Sequence, residues 1–353
     1  TEIVGWIADG RHCRLHSDGR RVDSGIASPQ MRILAALSCS IPCVLGLKPL
    51  EAQSRKSFCN TDAGTWTLEW FDDFDGDRLD PSSWQVVTSE GGYHGIDLPV
   101  AGLNITACRS AVCRPANARV SGGFLRLQSE QDALDPTRYY SAAVTTKDRV
   151  SWSAAAGPFR LCIRAKLPLN TKGVWPAHWM LPQNGLSDRC LDEGEMDITE
   201  MVDDGTVYNT YHWMSSWPGQ SCGNFDLYHS SVASSRRVRS YSSDFHEYAV
   251  ERSMEQISFA IDGRVQGRFR AAEKGFHLSA SPFFLILNTA IGGAWPGSPV
   301  PGQTQMPVEH LIDWVRVVRG DVPGSDAANT GEYSAHVVGQ GFQVSREIRT
   351  HQG

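Results

Sequence analysis

The chain has 353 residues, of which 41% are hydrophobic, and a formal net charge of −6. This length predicts one large domain with tails, and the acidic balance lacks the basic footprint of a nucleic-acid-binding protein. Eleven tryptophans and 33 glycines favour a turn-rich β protein with aromatic binding surfaces, although tryptophan is also common in protein cores.

The beginning of the chain predicts a leader and not a folded domain. Residues 1–30 are polar, lack hydrophobic periodicity and precede Met31, so we interpret them as non-structural, with a disordered arm as the alternative. Residues 31–52 combine a short basic start with an apolar run too short to span a membrane, which is typical of a signal peptide. We therefore expect a secreted, extracellular protein with no membrane segment in its mature form.

Six cysteines follow the predicted signal peptide, and an even number in a secreted chain predicts disulfide bonds. They are Cys59, Cys108, Cys113, Cys162, Cys190 and Cys222. We predict bonds between Cys108 and Cys113 and between Cys190 and Cys222, although six cysteines allow fifteen pairings. Cys162 lies in an alternating strand pattern, so a buried thiol is the alternative for that residue.

Short alternating strands separated by turn residues begin at residues 66–76 and continue to Val318. An irregular insertion at residues 88–118 contains the sequon Asn104-Ile105-Thr106, a candidate glycosylation site. Scarcely any helical periodicity occurs, so the pattern indicates an all-β sandwich or barrel. Residues 321–353 are polar and non-periodic, which predicts a tail.

The most informative stretch is Glu195-Met196-Asp197-Ile198-Thr199-Glu200. Its alternation predicts a half-buried strand with Glu195 and Asp197 on one face. Glu200 should point to the opposite face unless a one-residue β-bulge near Ile198–Thr199 turns it back. With that bulge, inward-leaning side chains could bring the two glutamate carboxyls to roughly 5–6 Å, the spacing of a retaining glycosidase. A central Asp197 should also raise at least one pKa, as an acid catalyst requires. The alternative is a charged strand that faces solvent.

Further motifs flank the acidic strand in a fixed order. They are Gly173-Val174-Trp175-Pro176-Ala177-His178-Trp179-Met180-Leu181-Pro182, Phe245-His246-Glu247-Tyr248-Ala249-Val250-Glu251, Leu285-Ile286-Leu287-Asn288-Thr289-Ala290-Ile291-Gly292-Gly293-Ala294-Trp295-Pro296-Gly297 and Ile312-Asp313-Trp314-Val315-Arg316-Val317. In this order the chain resembles glycoside hydrolase family 16, particularly its laminarinase-like endo-β-1,3-glucanases, over residues 65–320. The extra residue in the acidic motif matches the branch of the family that carries a bulge.

The resemblance implies a β-jelly-roll sandwich of two stacked, curved antiparallel sheets with a concave substrate cleft. It implies a monomer that hydrolyses β-1,3-glucan, with some tolerance of mixed β-1,3/1,4 chains, by a retaining mechanism that needs no cofactor. Glu195 would then be the nucleophile and Glu200 the general acid/base. Asp197 would tune Glu195 and hold its geometry.

The same resemblance, with the chemistry of sugar rings, suggests the substrate-binding residues. Trp175, Trp179 and Trp295 are predicted sugar platforms because pyranose C–H groups pack on aromatic rings, and core packing is the alternative for each. His212 matches a cleft histidine of the family, and a structurally satisfied histidine is the alternative. Asn288 either faces the cleft or bonds backbone.

A structural calcium ion on the convex face is a further expectation from the family. The Asp313 side chain with the backbone carbonyls of Gly123 and Asp73 matches its ligand positions, and oxygen ligands suit calcium. The alternative is that Asp313 caps a turn.

Two other functions are alternatives to glucan hydrolysis. A non-catalytic β-glucan-recognition protein on the same fold is disfavoured because such proteins generally lack the catalytic pair that Glu195 and Glu200 would form. A hydrolase of another polysaccharide, such as agar or carrageenan, is the second alternative. Sulfated polymers would favour basic subsites, which the acidic motif does not indicate.

Overall fold

The computed structural model describes residues 57–61, 65–88, 98–100, 103–105, 107–169, 171–183, 194–202, 205–214, 229–237, 241–276, 278–300, 303–321, 333–338 and 341–346. Two compact units, Thr1–Leu45 and Gly46–Gly353, divide the chain, and the first lies wholly outside these residues. The leader and the signal peptide expected at residues 1–30 and 31–52 therefore stay predictions. None of the helices in the described residues has the length and apolar character that crossing a membrane requires.

The described part of the second unit consists almost entirely of strands. In chain order they are β1 (Trp66–Asp72), β2 (Gln85–Val86), β3 (Leu98–Val100), β4 (Leu103–Ile105), β5 (Val112–Cys113), β6 (Ala118–Ser121), β7 (Phe124–Gln131), β8 (Tyr139–Ser141), β9 (Ala143–Thr145), β10 (Phe159–Lys166), β11 (Val174–Pro182), β12 (Glu195–Met201), β13 (Thr206–Met214), β14 (His229–Arg237), β15 (His246–Arg252), β16 (Gln256–Ile261), β17 (Arg264–Arg270), β18 (Phe283–Ile291), β19 (Val308–Gly320), β20 (Tyr333–Val338) and β21 (Gly341–Arg346). The helical segments are α1 (Ala271–Lys274) and two 3₁₀ turns, Pro115–Asn117 and Ala154–Ala156.

Two large sheets stack to form the sandwich. The first, called here the cleft sheet, has the strand order β14-β13-β12-β11-β18-β9-β2. The second, called the back sheet, has the order β17-β16-β15-β10-β19-β7-β8-β5, with β1 beside β19 and β6 beside β7. Pairing is antiparallel except for the short parallel pair β5–β8. The predicted all-β jelly-roll sandwich is confirmed.

The main core lies between the two sheets and explains the alternating sequence pattern. Met196 and Ile198 of β12 point into it together with Leu161 of β10 and Val317 of β19, and all four are fully buried. Because successive side chains of a strand alternate between its faces, Glu195 and Asp197 lie on the opposite, outer face of the cleft sheet. Packing of the sandwich core thus determines which face of β12 points outward and carries the candidate site.

Two disulfide bonds occur among the described residues. Cys108–Cys113 is present as predicted and closes residues 107–113, called here the disulfide loop. Cys59 bonds to Cys162, which corrects the interpretation of Cys162 as a buried thiol. That bond lies in a small apolar cluster with Ala249, Ala260 and Val318 on the back sheet. Cys190 and Cys222 lie outside the described residues, so their pairing stays a prediction.

Two hairpins form two-stranded sheets of their own. β3 and β4 pair with each other, and β4 includes Asn104, whose glycosylation stays a prediction. β20 and β21 form a second hairpin within residues 321–353, for which the sequence predicted a polar tail without strands. Apolar and polar residues do alternate in Tyr333-Ser334-Ala335-His336-Val337 and in Phe342-Gln343-Val344-Ser345, a strand signal that the prediction of a non-periodic tail overlooked.

Candidate active site

A β-bulge in β12 places the three acidic residues on one face. From Asp197 to Glu200 the chain advances three residues, while its partner β13 advances only two, from Thr210 to Tyr208. On the other side, β11 shows the same one-residue register shift between His178 and Trp179. The bulge expected near Ile198–Thr199 is therefore present.

Side-chain hydrogen bonding holds the bulge in place. Asn209 of β13 is fully buried and donates from Nδ2 to the carbonyl oxygen of Ile198 at 2.6 Å. Ser234 of β14 donates to Oδ1 of Asn209 at 3.2 Å. The bulge removes the Ile198 carbonyl from the regular hydrogen-bond ladder, and the Asn209 side chain supplies its hydrogen bond instead.

The register shows which side chains share the acidic face. Glu195, Asp197 and Glu200 pair with His212, Thr210 and Tyr208, which are alternate residues of β13. Asp197 is buried, whereas Glu195 and Glu200 are partly exposed. His212 Nε2 lies 2.9 Å from Asp197 Oδ2, and Glu195 and Asp197 share a side-chain hydrogen bond. Asp197 is therefore held between Glu195 and His212.

Burial raises the pKa of all three carboxyl groups, and repulsion by neighbouring carboxylates raises the pKa of Glu195 and Glu200 further. Desolvation, followed by the charge of Asp197, raises the pKa of Glu195 to about 8. Desolvation and the charges of Asp197 and Glu195 raise the pKa of Glu200 well above its ordinary range, and desolvation raises the pKa of Asp197 to about 7. Three negative charges in one desolvated cluster repel strongly, so the set retains at least one proton at neutral pH. A carboxylate beside a carboxylic acid is the arrangement that nucleophilic and acid catalysis need.

Aromatic side chains form one wall beside Glu200. Trp175 donates from Nε1 to Glu200 Oε1 at 3.1 Å. Trp295 is 43% exposed and meets the Trp175 ring edge-on, with centroids 5.4 Å apart. Trp175 and Trp295 thus lie together at the acidic face, as expected of sugar platforms.

Trp179 occupies a different environment from the other two tryptophans. It is only 8% exposed, and it donates from Nε1 to Asn288 Oδ1 at 2.9 Å. It belongs to the same buried cluster as Cys108 and Cys113 of the disulfide loop, and Asn288, its hydrogen-bond partner, also bonds the loop at Ala107. Trp179 therefore packs beneath the loop instead of offering an open ring face to a sugar, which corrects its prediction as a platform.

Two residues at the site, Tyr208 and Arg109, were not predicted from the sequence. Tyr208 packs edge-on against Trp295, with centroids 5.0 Å apart, and the alternation of Tyr208, Thr210 and His212 could have indicated it. Arg109 places its guanidinium carbon 5.0 Å from the centroid of the Trp175 ring. No sequence signal marks Arg109, because its position depends on how the disulfide loop folds back onto the cleft sheet.

A buried histidine pair lies behind the bulge, between the sheets. His178 pairs with Thr199 across β11 and β12, and its Nε2 lies 2.9 Å from Nε2 of His310 on β19. Desolvation lowers the pKa of His178 well below its ordinary value and that of His310 to about 3. Both rings are therefore neutral at physiological pH and connect the catalytic side of the cleft sheet to the back sheet without adding charge.

Among the described residues, Glu195, Asp197 and His212 form a group of acidic and imidazole side chains whose nearest oxygen and nitrogen atoms lie within 4.8 Å of one another. This set coincides with the acidic site. A cation bound there would compete with the hydrogen bonds among these three side chains and neutralise a carboxylate.

The side chain expected to hold calcium is paired with an arginine. Asp313 is buried and forms an ion pair with Arg164. The other expected ligands are backbone carbonyls, those of Gly123 and Asp73. A calcium ion bound to the Asp313 carboxylate would lie beside the Arg164 guanidinium, and like charges repel. Calcium and Arg164 would therefore compete for Asp313, and the calcium site stays a prediction.

Chelation should accordingly leave stability unchanged, whereas loss of Arg164 should lower it. Arg164→Ala leaves the buried Asp313 without this cation, which should cost about 2 kcal/mol and lower Tm by about 4–8 °C. EDTA should leave Tm within error in calorimetry. Arg126→Ala is the matched control, since its ion pair with Glu309 is more exposed and should contribute about 1 kcal/mol or less. A decrease in Tm of several degrees with EDTA, together with calcium detected by elemental analysis, would instead show that the protein binds a stabilising calcium ion.

Comparison with known proteins gives concordant results. The family model for glycosyl hydrolases family 16 matches residues 115–316. The chain is 32% identical over 266 residues to a beta-glucanase of Rhodothermus marinus, covering 72% of this chain and 85% of that protein. It is 30% identical over 271 residues to glucan endo-1,3-beta-glucosidase A1 of Niallia circulans, covering 71% of this chain and 38% of that protein. The solved catalytic domain of a Thermotoga petrophila RKU-1 endo-1,3-beta-glucanase (laminarinase) superposes with a TM-score of 0.59 at 31% identity, covering 73% of this chain and 99% of that chain.

Proposed function

The chain belongs to glycosyl hydrolase family 16, and from this premise we propose that it is a secreted endo-β-1,3-glucanase that retains anomeric configuration. Membership confirms the resemblance predicted from the sequence motifs. The observation that carries the proposal is the bulge in β12, which brings Glu195, Asp197 and Glu200 onto one face. The similarity to proteins named as endo-1,3-β-glucanases supports β-1,3-glucan as the substrate class.

Two carboxyl groups share the chemistry of the proposed reaction. Ionised Glu195 attacks the anomeric carbon and forms a glycosyl-enzyme ester, while protonated Glu200 gives its proton to the departing glycosidic oxygen. Glu200, now a carboxylate, then removes a proton from water, and the resulting hydroxide attacks the same carbon and releases Glu195. Two successive inversions leave the configuration unchanged.

The neighbouring side chains orient Glu195 and favour the protonated form of Glu200. Asp197 hydrogen-bonds Glu195 and lies 2.9 Å from His212, so it fixes the orientation of the nucleophile. The burial and negative neighbours that raise the pKa of Glu200 keep its proton in place until the leaving group needs it. The indole N–H of Trp175 bonds Glu200 Oε1, which orients the acid.

The exposed aromatic wall suits a neutral polysaccharide. Trp295 and Trp175 present indole surface beside Glu200, and pyranose rings pack their C–H faces on such surfaces. Secretion is supported by the signal-peptide pattern at residues 31–52 and by the two disulfide bonds, which persist in oxidising compartments.

The direct test is incubation with laminarin, lichenan and a panel of other polysaccharides. We expect short oligosaccharides from laminarin, weaker release from mixed-linkage glucan and a β-configured reducing end in the first product by ¹H NMR. Binding measured on the same sample separates an enzyme from a recognition protein. An α-configured first product would refute retention. Binding without turnover on any β-glucan would refute the hydrolase.

A further inference from the structure

The disulfide loop is fixed to the cleft sheet where β18 ends. The bond between Cys108 and Cys113 closes it. Ile291, the last residue of β18, donates its backbone N–H to the carbonyl oxygen of Cys108 at 3.2 Å. Asn288 donates from Nδ2 to the carbonyl oxygen of Ala107 at 2.6 Å. The loop therefore has a defined position beside the acidic face.

Arg109 is the residue that this loop directs toward the site. Its φ of 54° lies in the left-handed region, which is uncommon for a residue with a long side chain and points to a local requirement. Its backbone forms a bridge with Ile291. Its guanidinium lies 5.0 Å from the centroid of Trp175, within the range of a cation–π interaction. The indole that it contacts is the one that donates to Glu200.

The charge of Arg109 acts on the catalytic carboxyls. Burial lowers the pKa of Arg109, and the charges of Glu195 and Glu200 oppose that shift. In return, Arg109 and His212 both lower the pKa of Glu195, against desolvation and the charge of Asp197. In the described part of the chain, the charged or titratable groups that act on Glu195 are thus Asp197 and Glu200 on its own strand, His212 on β13 and Arg109 on the disulfide loop.

We propose that Arg109 is a positioning residue for the reaction: from the disulfide loop, its guanidinium supports Trp175, the donor to Glu200, and its positive charge favours the ionised form of Glu195 that attacks the sugar. The inference rests on the proposed glucanase function. It assigns to the loop a role that neither the disulfide nor the acidic motif reveals alone. A nearby cation makes a desolvated nucleophile beside two other carboxyls easier to ionise.

The first test is the pH profile of kcat/KM on laminarin for Arg109→Gln and Arg109→Lys. Removing the positive charge should make Glu195 harder to ionise, so the acidic limb for Arg109→Gln should move up by about one pH unit. On that limb, activity at a fixed pH should fall about tenfold. Arg109→Lys keeps the charge and should restore most of the wild-type limb, which a purely structural role would not predict.

Arg138→Gln is the matched control. It also removes one arginine charge, but Arg138 acts electrostatically on Asp132 and Asp135 and not on the acidic residues of β12. Its profile should coincide with that of the wild type. An acidic limb that is unchanged in Arg109→Gln, or moved equally by Arg138→Gln, would overturn the proposal.

A second readout does not depend on turnover. The free enzyme labelled with ¹³C at the glutamate carboxyl carbons can be titrated by NMR, with the Glu195 signal assigned through Glu195→Gln. The midpoint of that signal should be about one pH unit higher in Arg109→Gln, and equal midpoints would overturn the proposal. Failure of the wild type to cleave β-glucan would refute the glucanase function, while this titration would still decide the role of Arg109.

Discussion

Replacing Glu195 with alanine is expected to lower kcat on β-1,3-glucan by about four orders of magnitude or more, a loss of the size seen when other hydrolases lose their nucleophile. Azide should restore turnover, because the small anion fits the space vacated by the carboxylate and attacks the same face of the sugar. The product should be a glycosyl azide of inverted configuration, since only one displacement occurs. ¹H NMR of that product, with kcat measured with and without azide, checks the expectation.

Glu200→Ala provides the contrast that separates the two carboxyl roles. Loss of the general acid should slow cleavage of ordinary glucan by about 10²–10⁴-fold. It should spare substrates whose leaving group needs no proton. Azide should then intercept the glycosyl-enzyme and give a product of retained configuration. Intact hydrolysis of ordinary glucan by Glu200→Ala, or reversed stereochemistry in the two azide products, would show that the roles are misassigned.

The acidic strand shows how much of the site the sequence could predict. Alternation predicted that Glu195 and Asp197 share one face. The bulge that turns Glu200 onto the same face was expected because the spacing of a retaining glycosidase requires it and because the extra residue of the motif matches the bulged branch of the family. The structure adds what local pattern cannot show. The carbonyl of Ile198 is bonded by Asn209, a residue of the next strand, and this partner depends on the register of that strand.

Contacts between distant segments account for what the sequence did not predict. Cys59 and Cys162 are 103 residues apart in sequence, and no local pattern connects them. Trp179 is on the expected face, but it is buried in one cluster with residues of a loop from elsewhere in the chain. The resemblance assigned Asp313 to calcium, and the sequence did not show that the pairing of β10 with β19 brings Arg164 to the same carboxyl. In each case the local sequence pattern was recognisable, but the distant segment that contacts it was not.

Gly194 precedes the proposed nucleophile, and its replacement by alanine should be strongly destabilising. Its φ is 91°, and a Cβ there would lie 2.3 Å from Tyr211 Oη and 2.6 Å from two carbons of the ring. Tyr211 is fully buried and packs against Trp213 and Phe276, so it has little room to move. Backbone strain and overpacking together should cost about 3 kcal/mol or more. That loss lowers Tm by about 6–12 °C, measured by calorimetry.

Gly275→Ala separates the clash from the strain. Gly275 also has a left-handed φ, of 71°, but a Cβ there would meet nothing within 4 Å. Its replacement should therefore cost only the conformational strain, about 1–2 kcal/mol. Gly194→Ala should in addition lose activity in the fraction that remains folded, because displacement of Tyr211 or of the residue-194 backbone shifts Glu195 relative to Glu200, and small misplacements are costly in catalysis. Equal melting temperatures for the two variants, with kcat unchanged in Gly194→Ala, would mean that the contact with Tyr211 does not position the nucleophile.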